Sequence, residues 1–113
     1  AALLAQLALA YDAAGQPGPA SAFAGLAYRL APLNPAAVDA YGWTMFGAGD
    51  AEGALQLLEK AVSIAPRHPG LRWHLAQIHA ALGHDDAARS AARLALADPR
   101  FTARRAAGAL IAG

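Results

Sequence analysis

Shifted along itself by 34 residues, the 113-residue chain brings its own punctuation into register. Gly15, Gly49 and Gly83 align, each followed by a polar residue: Gln16, Asp50 and His84. Ala20, Ala54 and Ala88 align next, then Ala27, Ala61 and Ala95. Pro32 and Pro66 coincide, and Pro99 falls one residue short. On the other side of each glycine, Leu7, Tyr41 and Leu75 align, followed by the small residues Ala8, Gly42 and Ala76. A unit of this length holds two helices and a turn, and it buries its apolar faces by stacking on a copy of itself.

The spacing has a physical cause. About two helical turns separate the small residue at 8, 42 or 76 from the glycine that follows it. Glycine reaches backbone angles closed to other residues, so it ends one helix and lets the next fold back. Small side chains at Ala8, Gly42 and Ala76, and at Ala20, Ala54 and Ala88, let paired helices approach closely. Gly42 costs about 1 kcal/mol against alanine in an exposed helix interior, so close packing is its expected reason. Proline lacks a donor and clashes with the preceding turn, which closes each second helix. The pattern predicts helices near 2–14, 19–31, 35–48, 51–64, 69–82, 85–97 and 101–111, the last a lone helix capping the stack. Leu55, Leu58 and Val62, and Leu71, Leu75, Ile78 and Leu82, recur at three- and four-residue spacing and are assigned to the core. The stiff Gln16-Pro17-Gly18-Pro19 turn is expected to delay the second helix.

Composition narrows what such a stack does. A mass of 11.5 kDa is room for one domain and one core. Nine bases against eight acids leave a net charge of +1, with no global field to recruit nucleic acid or acidic lipid. The hydrophobic fraction of 57% overstates the available core. About 30% of the chain is alanine, a strong helix former that adds little buried area. Charged residues make up 15%, against about 25% in a typical soluble domain. The absence of cysteine excludes a disulfide framework, thiolate catalysis and thiolate metal sites. The longest apolar stretch, 1–11, is about half the roughly 20 residues a membrane span requires, and Gln6 interrupts it. It also lacks the basic flank of a secretory signal.

The 34-residue helix–turn–helix register over 1–102 resembles the tetratricopeptide repeat family. The resemblance implies an all-α fold, a right-handed solenoid of three repeats (1–34, 35–68 and 69–101) plus a C-terminal capping helix at about 101–111. A narrower likeness rests on Asp39-Ala-Tyr-Gly-Trp43, Gly49-Asp50, Ala54, Leu57-Leu58, Ala61, Arg72-Trp-His-Leu-Ala76, Gly83, Ala88-Arg89 and Phe101. These residues resemble the C-terminal repeats of the large repeat protein of bacterial exosortase A/PEP-CTERM exopolysaccharide systems, with Ala40-Tyr41 where Thr-Leu is commoner. That resemblance implies a periplasmic or outer-membrane-associated scaffold.

In the repeat family, the first helix of each hairpin lines a concave groove. The positions this implies for protein binding include Asp39, Trp43, Phe46, Trp73 and Gln77. Trp43, Phe46 and Trp73 form a candidate apolar anchor, since aromatics dominate interface hot spots; the alternative is that both tryptophans pack between neighbouring repeats. A clamp for chaperone C-terminal carboxylates is excluded, because its basic positions are held here by residues such as Ala5, Leu9, Asp39, Trp43, Trp73 and Gln77.

Other side chains give no chemistry. The histidines, His68, His74, His79 and His84, contain no i, i+4 pair that would align two imidazoles on one helix face. His74 and His79 are five apart and point about 140° away from each other. They are assigned structural or solvated roles, and no metal or cofactor is expected. Ser21, Ser63 and Ser90 lie outside any Gly-x-Ser-x-Gly turn, so no catalytic residue is expected. Charge is uneven: 1–66 carries two bases against five acids (net −3), and 67–113 carries seven arginines against three acids (net +4). Arg89, Arg93, Arg100, Arg104 and Arg105 are a candidate surface for an acidic partner, against the plainer assignment to solvated surface. Nucleic acid is not expected, because no base-stacking aromatic accompanies them except Phe101, which is assigned to the core.

The combined reading is a non-catalytic protein–protein interaction scaffold; a self-association module and a regulatory domain of a larger enzyme are the alternatives. The first helix offers Leu3, Leu4, Leu7 and Leu9 among alanines, with Gln6 and Asp12 its polar residues. That composition predicts a covered helix, as expected if the chain is a fragment of a longer repeat protein, and with it a homodimer through the N-terminal helix.

Overall fold

The three register glycines carry positive φ angles of 76° at Gly15, 95° at Gly49 and 78° at Gly83. Each closes its helix with the same pair of backbone hydrogen bonds. The amide after the glycine donates five residues back: Gln16 to Tyr11, Asp50 to Met45 and His84 to His79, each at 2.9 Å. The glycine amide itself donates three back, to Asp12, Phe46 and Ala80, at 3.0–3.1 Å. This is the Schellman termination, which satisfies carbonyls that a helix end leaves orphaned and reverses the chain.

The computed structural model describes residues 1–112, as two units divided between Pro66 and Arg67. All regular structure among the described residues is helical. The first unit holds α1 (Ala2–Ala13), α2 (Pro17–Leu30), α3 (Pro35–Gly47) and α4 (Ala51–Ile64). The second holds α5 (Pro69–Ala81), α6 (Asp85–Leu96) and α7 (Arg104–Ala112). Each register unit is therefore a helix hairpin, and α7 follows the third.

Two boundaries differ from expectation. The Pro17-Gly18-Pro19 segment does not delay α2, which begins at Pro17. First-turn amides have no intrahelical acceptor, so prolines there forfeit nothing, and their fixed φ suits the helix. The last helix starts three residues late. Asp98 accepts the Arg100 amide at 2.8 Å, and the Phe101 amide donates to the Asp98 carbonyl at 3.1 Å. That turn carries Phe101 inward, 6% exposed, before α7 starts.

Caps account for the other starts. Asn34 accepts the amides of Ala36 (2.9 Å) and Ala37 (3.2 Å), and Asp50 accepts that of Gly53 (2.9 Å). His68 Nδ1 receives the Leu71 amide at 3.4 Å. Asp85 and Asp86 occupy the first turn of α6, where carboxylates complement the positive helix end.

Alanine builds the cores. In the first unit Ala5, Ala8, Ala24, Ala27, Ala37 and Ala40 meet, with Leu4, Leu9, Phe23 and Tyr41 against them. Aromatic side chains supply the area that alanine lacks. Tyr11 stacks on Phe23 with centroids 5.6 Å apart, and Tyr28 on Tyr41 at 5.1 Å; such pairs contribute about 0.5–1.5 kcal/mol beyond burial. Lys60 Nζ donates to the Tyr28 hydroxyl at 2.9 Å, tying α4 to α2. In the second unit Ala76, Ala91, Ala92, Ala95, Phe101 and Ala107 form the interior, flanked by Trp73, Leu110 and Ile111. Of the periodic leucines, Leu58 and Leu71 are buried with Ile78, whereas Leu55, Leu75 and Leu82 are half-buried.

Candidate functional site

On α3, Asp39, Trp43 and Phe46 follow one another at helical spacing. Trp43 and Phe46 pack together at a centroid distance of 5.4 Å and an interplanar angle of 42°, and both remain half-buried. Asp39 is buried at 7% exposure. The α1 end adjoins this helix: a Cβ on Gly47 would lie 3.2 Å from the Asp12 carboxylate. The first unit thus brings an aromatic pair and two carboxylates onto neighbouring first helices.

In the second unit, Trp73 meets Phe101 edge-on at 6.1 Å and 64° and packs against the alanine core. Part of the indole is therefore structural, anchoring the segment between α6 and α7. Gln77, one turn further along α5, has its Oε1 buried without a hydrogen-bond partner. A buried amide oxygen without a donor costs about 1–3 kcal/mol, so a donor reaching it gains more than one meeting a solvated oxygen.

The five arginines divide into two groups. Arg89 pairs with Asp86 at 2.9 Å. The Arg100 guanidinium grips both Asp98 oxygens, at 2.6 Å from Nη2 and 3.0 and 3.2 Å from Nε, and Nη2 also donates to the Arg67 carbonyl at 3.2 Å. The Arg100 side-chain and amide hydrogen bonds hold the Asp98 carboxyl down at about 2, and Asp98 in turn raises the Arg100 pKa. Arg104 donates to the carbonyls of Asp98 (3.1 Å) and Leu96 (2.8 Å), completing the end of α6. Arg93 and Arg105 are exposed. The basic end is thus partly a joint between α6 and α7.

Besides Trp73 on Phe101, two contacts escape periodicity. One is the Arg104 cap. The other joins His79 and His84, whose Nδ1 atoms are 3.1 Å apart. They lie at the two Schellman positions whose side chains usually meet, across the glycine rather than along one helix. A scan for helical spacing misses them; the Gly83 turn itself was the available signal. Among the described residues no group of three or more His, Asp or Glu converges on a metal position, and no helix is long and apolar enough to cross a membrane. A cleft lined by Ala80, Asp85, Ala88, Arg89 and Leu110 encloses about 110 Å³, below the roughly 300 Å³ of small-molecule sites.

A family model described as tetratricopeptide repeat matches residues 45–112. The chain belongs to the tetratricopeptide repeat family. Solved structures show the same fold across nearly all of this repeat chain. PcrH of Pseudomonas aeruginosa, in complex with the chaperone-binding region of PopD, is 24% identical with a TM-score of 0.81, covering 97% of this chain and 86% of that one. The Yersinia enterocolitica type III secretion translocator chaperone SycD is 16% identical with a TM-score of 0.83, covering 97% and 79%. SycD bound to a peptide of the translocator YopD is 15% identical with a TM-score of 0.80, covering 97% and 88%. No curated protein sequence matches significantly.

Proposed function

We propose that this repeat chain is a non-catalytic scaffold that captures a segment of a partner protein on its first-of-hairpin helices. The observation that carries the reading is the Trp43–Phe46 pair, aromatic, mutually packed and only partly covered. In the second unit, taken by itself, Trp73 and the unpartnered Gln77 oxygen are a separate candidate contact on α5. PcrH, solved with the chaperone-binding region of PopD, and SycD, solved with a peptide of the translocator YopD, support a peptide as occupant of this fold. The Asp39-to-Trp43 and Arg72-to-Ala76 stretches support a place in bacterial exopolysaccharide assembly, in an extracytoplasmic, periplasmic or outer-membrane-associated setting.

The test is selection of binding peptides from a displayed random library, followed by titration of the strongest against variants. Trp43→Ala and Phe46→Ala are expected to weaken binding by more than about 1 kcal/mol each while remaining helical by circular dichroism. Equal binding by the folded double variant rules out this site. Loss of binding on reversing the charge of Arg93 and Arg105 instead moves it to the basic end.

A second reading, self-association through α1, is favoured by one observation: Leu3 is 76% exposed and Leu7 38%. It is compatible with the first, because these leucines lie on α1 and the aromatic pair on α3.

A further inference from the structure

We propose that His79 and His84 form a two-imidazole site for a late first-row divalent metal ion, independent of any peptide-binding role. The last residues of α5 present His79, the positive φ of Gly83 reverses the chain, and His84 returns beside it. The His84 amide bonds the His79 carbonyl at 2.9 Å, so the backbone fixes the distance between the two side-chain origins. The rings lie with centroids 5.3 Å apart, an interplanar angle of 49° and Nδ1 atoms 3.1 Å apart. Two imidazole nitrogens bound cis on one ion, at about 2.0–2.1 Å each, stand about 2.9–3.4 Å apart for angles between square-planar and tetrahedral. The observed separation falls inside that interval.

Without an ion, one Nδ1 carries a proton and the other accepts it. Binding requires both Nδ1 lone pairs. The proton therefore moves to Nε2 of its own ring through water, and both rings coordinate as neutral imidazoles with no net proton released. His84 is exposed and makes no side-chain cap bond, so its ring turns from the head-on contact toward a shared ion without disturbing α6. The positive end of α6 opposes a cation there, and Asp85 in its first turn offsets that field, while Asp86 is paired with Arg89. The two rings are the protein donors, and water completes the coordination. Such a site is exchangeable, and imidazole donors rank Cu²⁺ above Ni²⁺ and Zn²⁺.

The experiment is calorimetric titration of the chain with CuCl₂ and ZnCl₂, with histidine side-chain nitrogen spectra recorded during the Zn²⁺ titration. One ion per chain is expected, Cu²⁺ more tightly than Zn²⁺, with the His79 and His84 Nδ1 resonances moving together. His84→Ala should weaken both ions at least tenfold. His68→Asn, which keeps a side-chain acceptor at the start of α5, should leave both affinities unchanged. Equal affinity in wild type and His84→Ala, or a Zn²⁺ response centred on His68 or His74, overturns the site.

Discussion

Gly42 and Leu58 stand closer than any side chain at position 42 permits. A Cβ there would lie 2.5 Å from Leu58 Cδ2 and 3.0 Å from Leu57 Cβ. Leu58 is fully buried, so its methyl groups have no solvent to retreat into. Gly42→Ala gains about 1 kcal/mol of helix propensity and meets an overpacking penalty of about 1–3 kcal/mol, so a net loss of stability is expected. Gly25 supplies the opposite case on α2, with its nearest neighbours 3.9 and 4.0 Å from a Cβ. Gly25→Ala should therefore raise the melting temperature where Gly42→Ala lowers it. Equal shifts in the two variants would show that close approach of α3 and α4 is not what fixes glycine at 42.

The α5 interior supplies a second contrast. Ile78 is fully buried, so Ile78→Ala should cost about 2–5 kcal/mol by chemical denaturation, the range for emptying a core position. Leu75, half-buried, should cost clearly less when truncated. A Leu75→Ala loss as large as that of Ile78→Ala would contradict the observed side-chain burial.

That contrast marks what the residue pattern reveals and what it conceals. The 34-residue register places all three hairpins because Gly15, Gly49 and Gly83 are the positive-φ residues that any such turn requires. It marks Ala76 as a close-packing position, and Ala76 does meet Ala91, Ala92 and Ala95 on α6, but it also assigns Leu75 to the interior because periodicity rewards size. How deeply a leucine lies depends on how near the next helix comes, a distance that spacing does not encode. The candidate site divides the same way. Trp43 and Phe46 meet because three residues of helix put them on one side. Trp73 meets Phe101 only through the turn at Asp98, and His79 meets His84 only across Gly83.

The Asp98–Arg100 pair gives a pH prediction. The folded carboxyl is held at about 2, well below the usual aspartate range. Its contribution to stability is therefore fully present above the unfolded value and is lost as pH falls through the folded one. The melting temperature of wild type should drop between about pH 4 and pH 2 by more than that of Asp98→Asn, which keeps an acceptor for the Arg100 amide but cannot ionise. Both partners meet solvent, so the difference should be small and should shrink with added salt. Parallel melting-temperature profiles in the two proteins would show that the pair makes no net contribution.

Self-association rests on which side of α1 is left uncovered. Ala5 and Ala8 face the alanine core, while Leu3 and Leu7, one turn apart, remain exposed. In the repeat register Leu3 corresponds to Ala37 and Leu7 to Tyr41, residues by which α3 joins the core containing Ala5, Ala8 and Ala24. The face that stacks one hairpin on its predecessor is therefore the face that α1 leaves open, with leucine at both positions. Full burial of an exposed leucine contributes about 1.5–3 kcal/mol. Leu7, at 38% exposure, has less left to gain than Leu3 at 76%, so the two from each chain together give a few kcal/mol. Association costs about 4–15 kcal/mol in lost freedom, an amount of the same order, so a weak, concentration-dependent dimer is expected. Light scattering should report mass rising with concentration in wild type. Leu3→Glu with Leu7→Glu should stay monomeric and equally helical, because both positions are solvent-facing in the single chain. A wild-type mass that stays monomeric throughout the range removes α1 as a self-association surface and leaves its leucines to be explained by another partner.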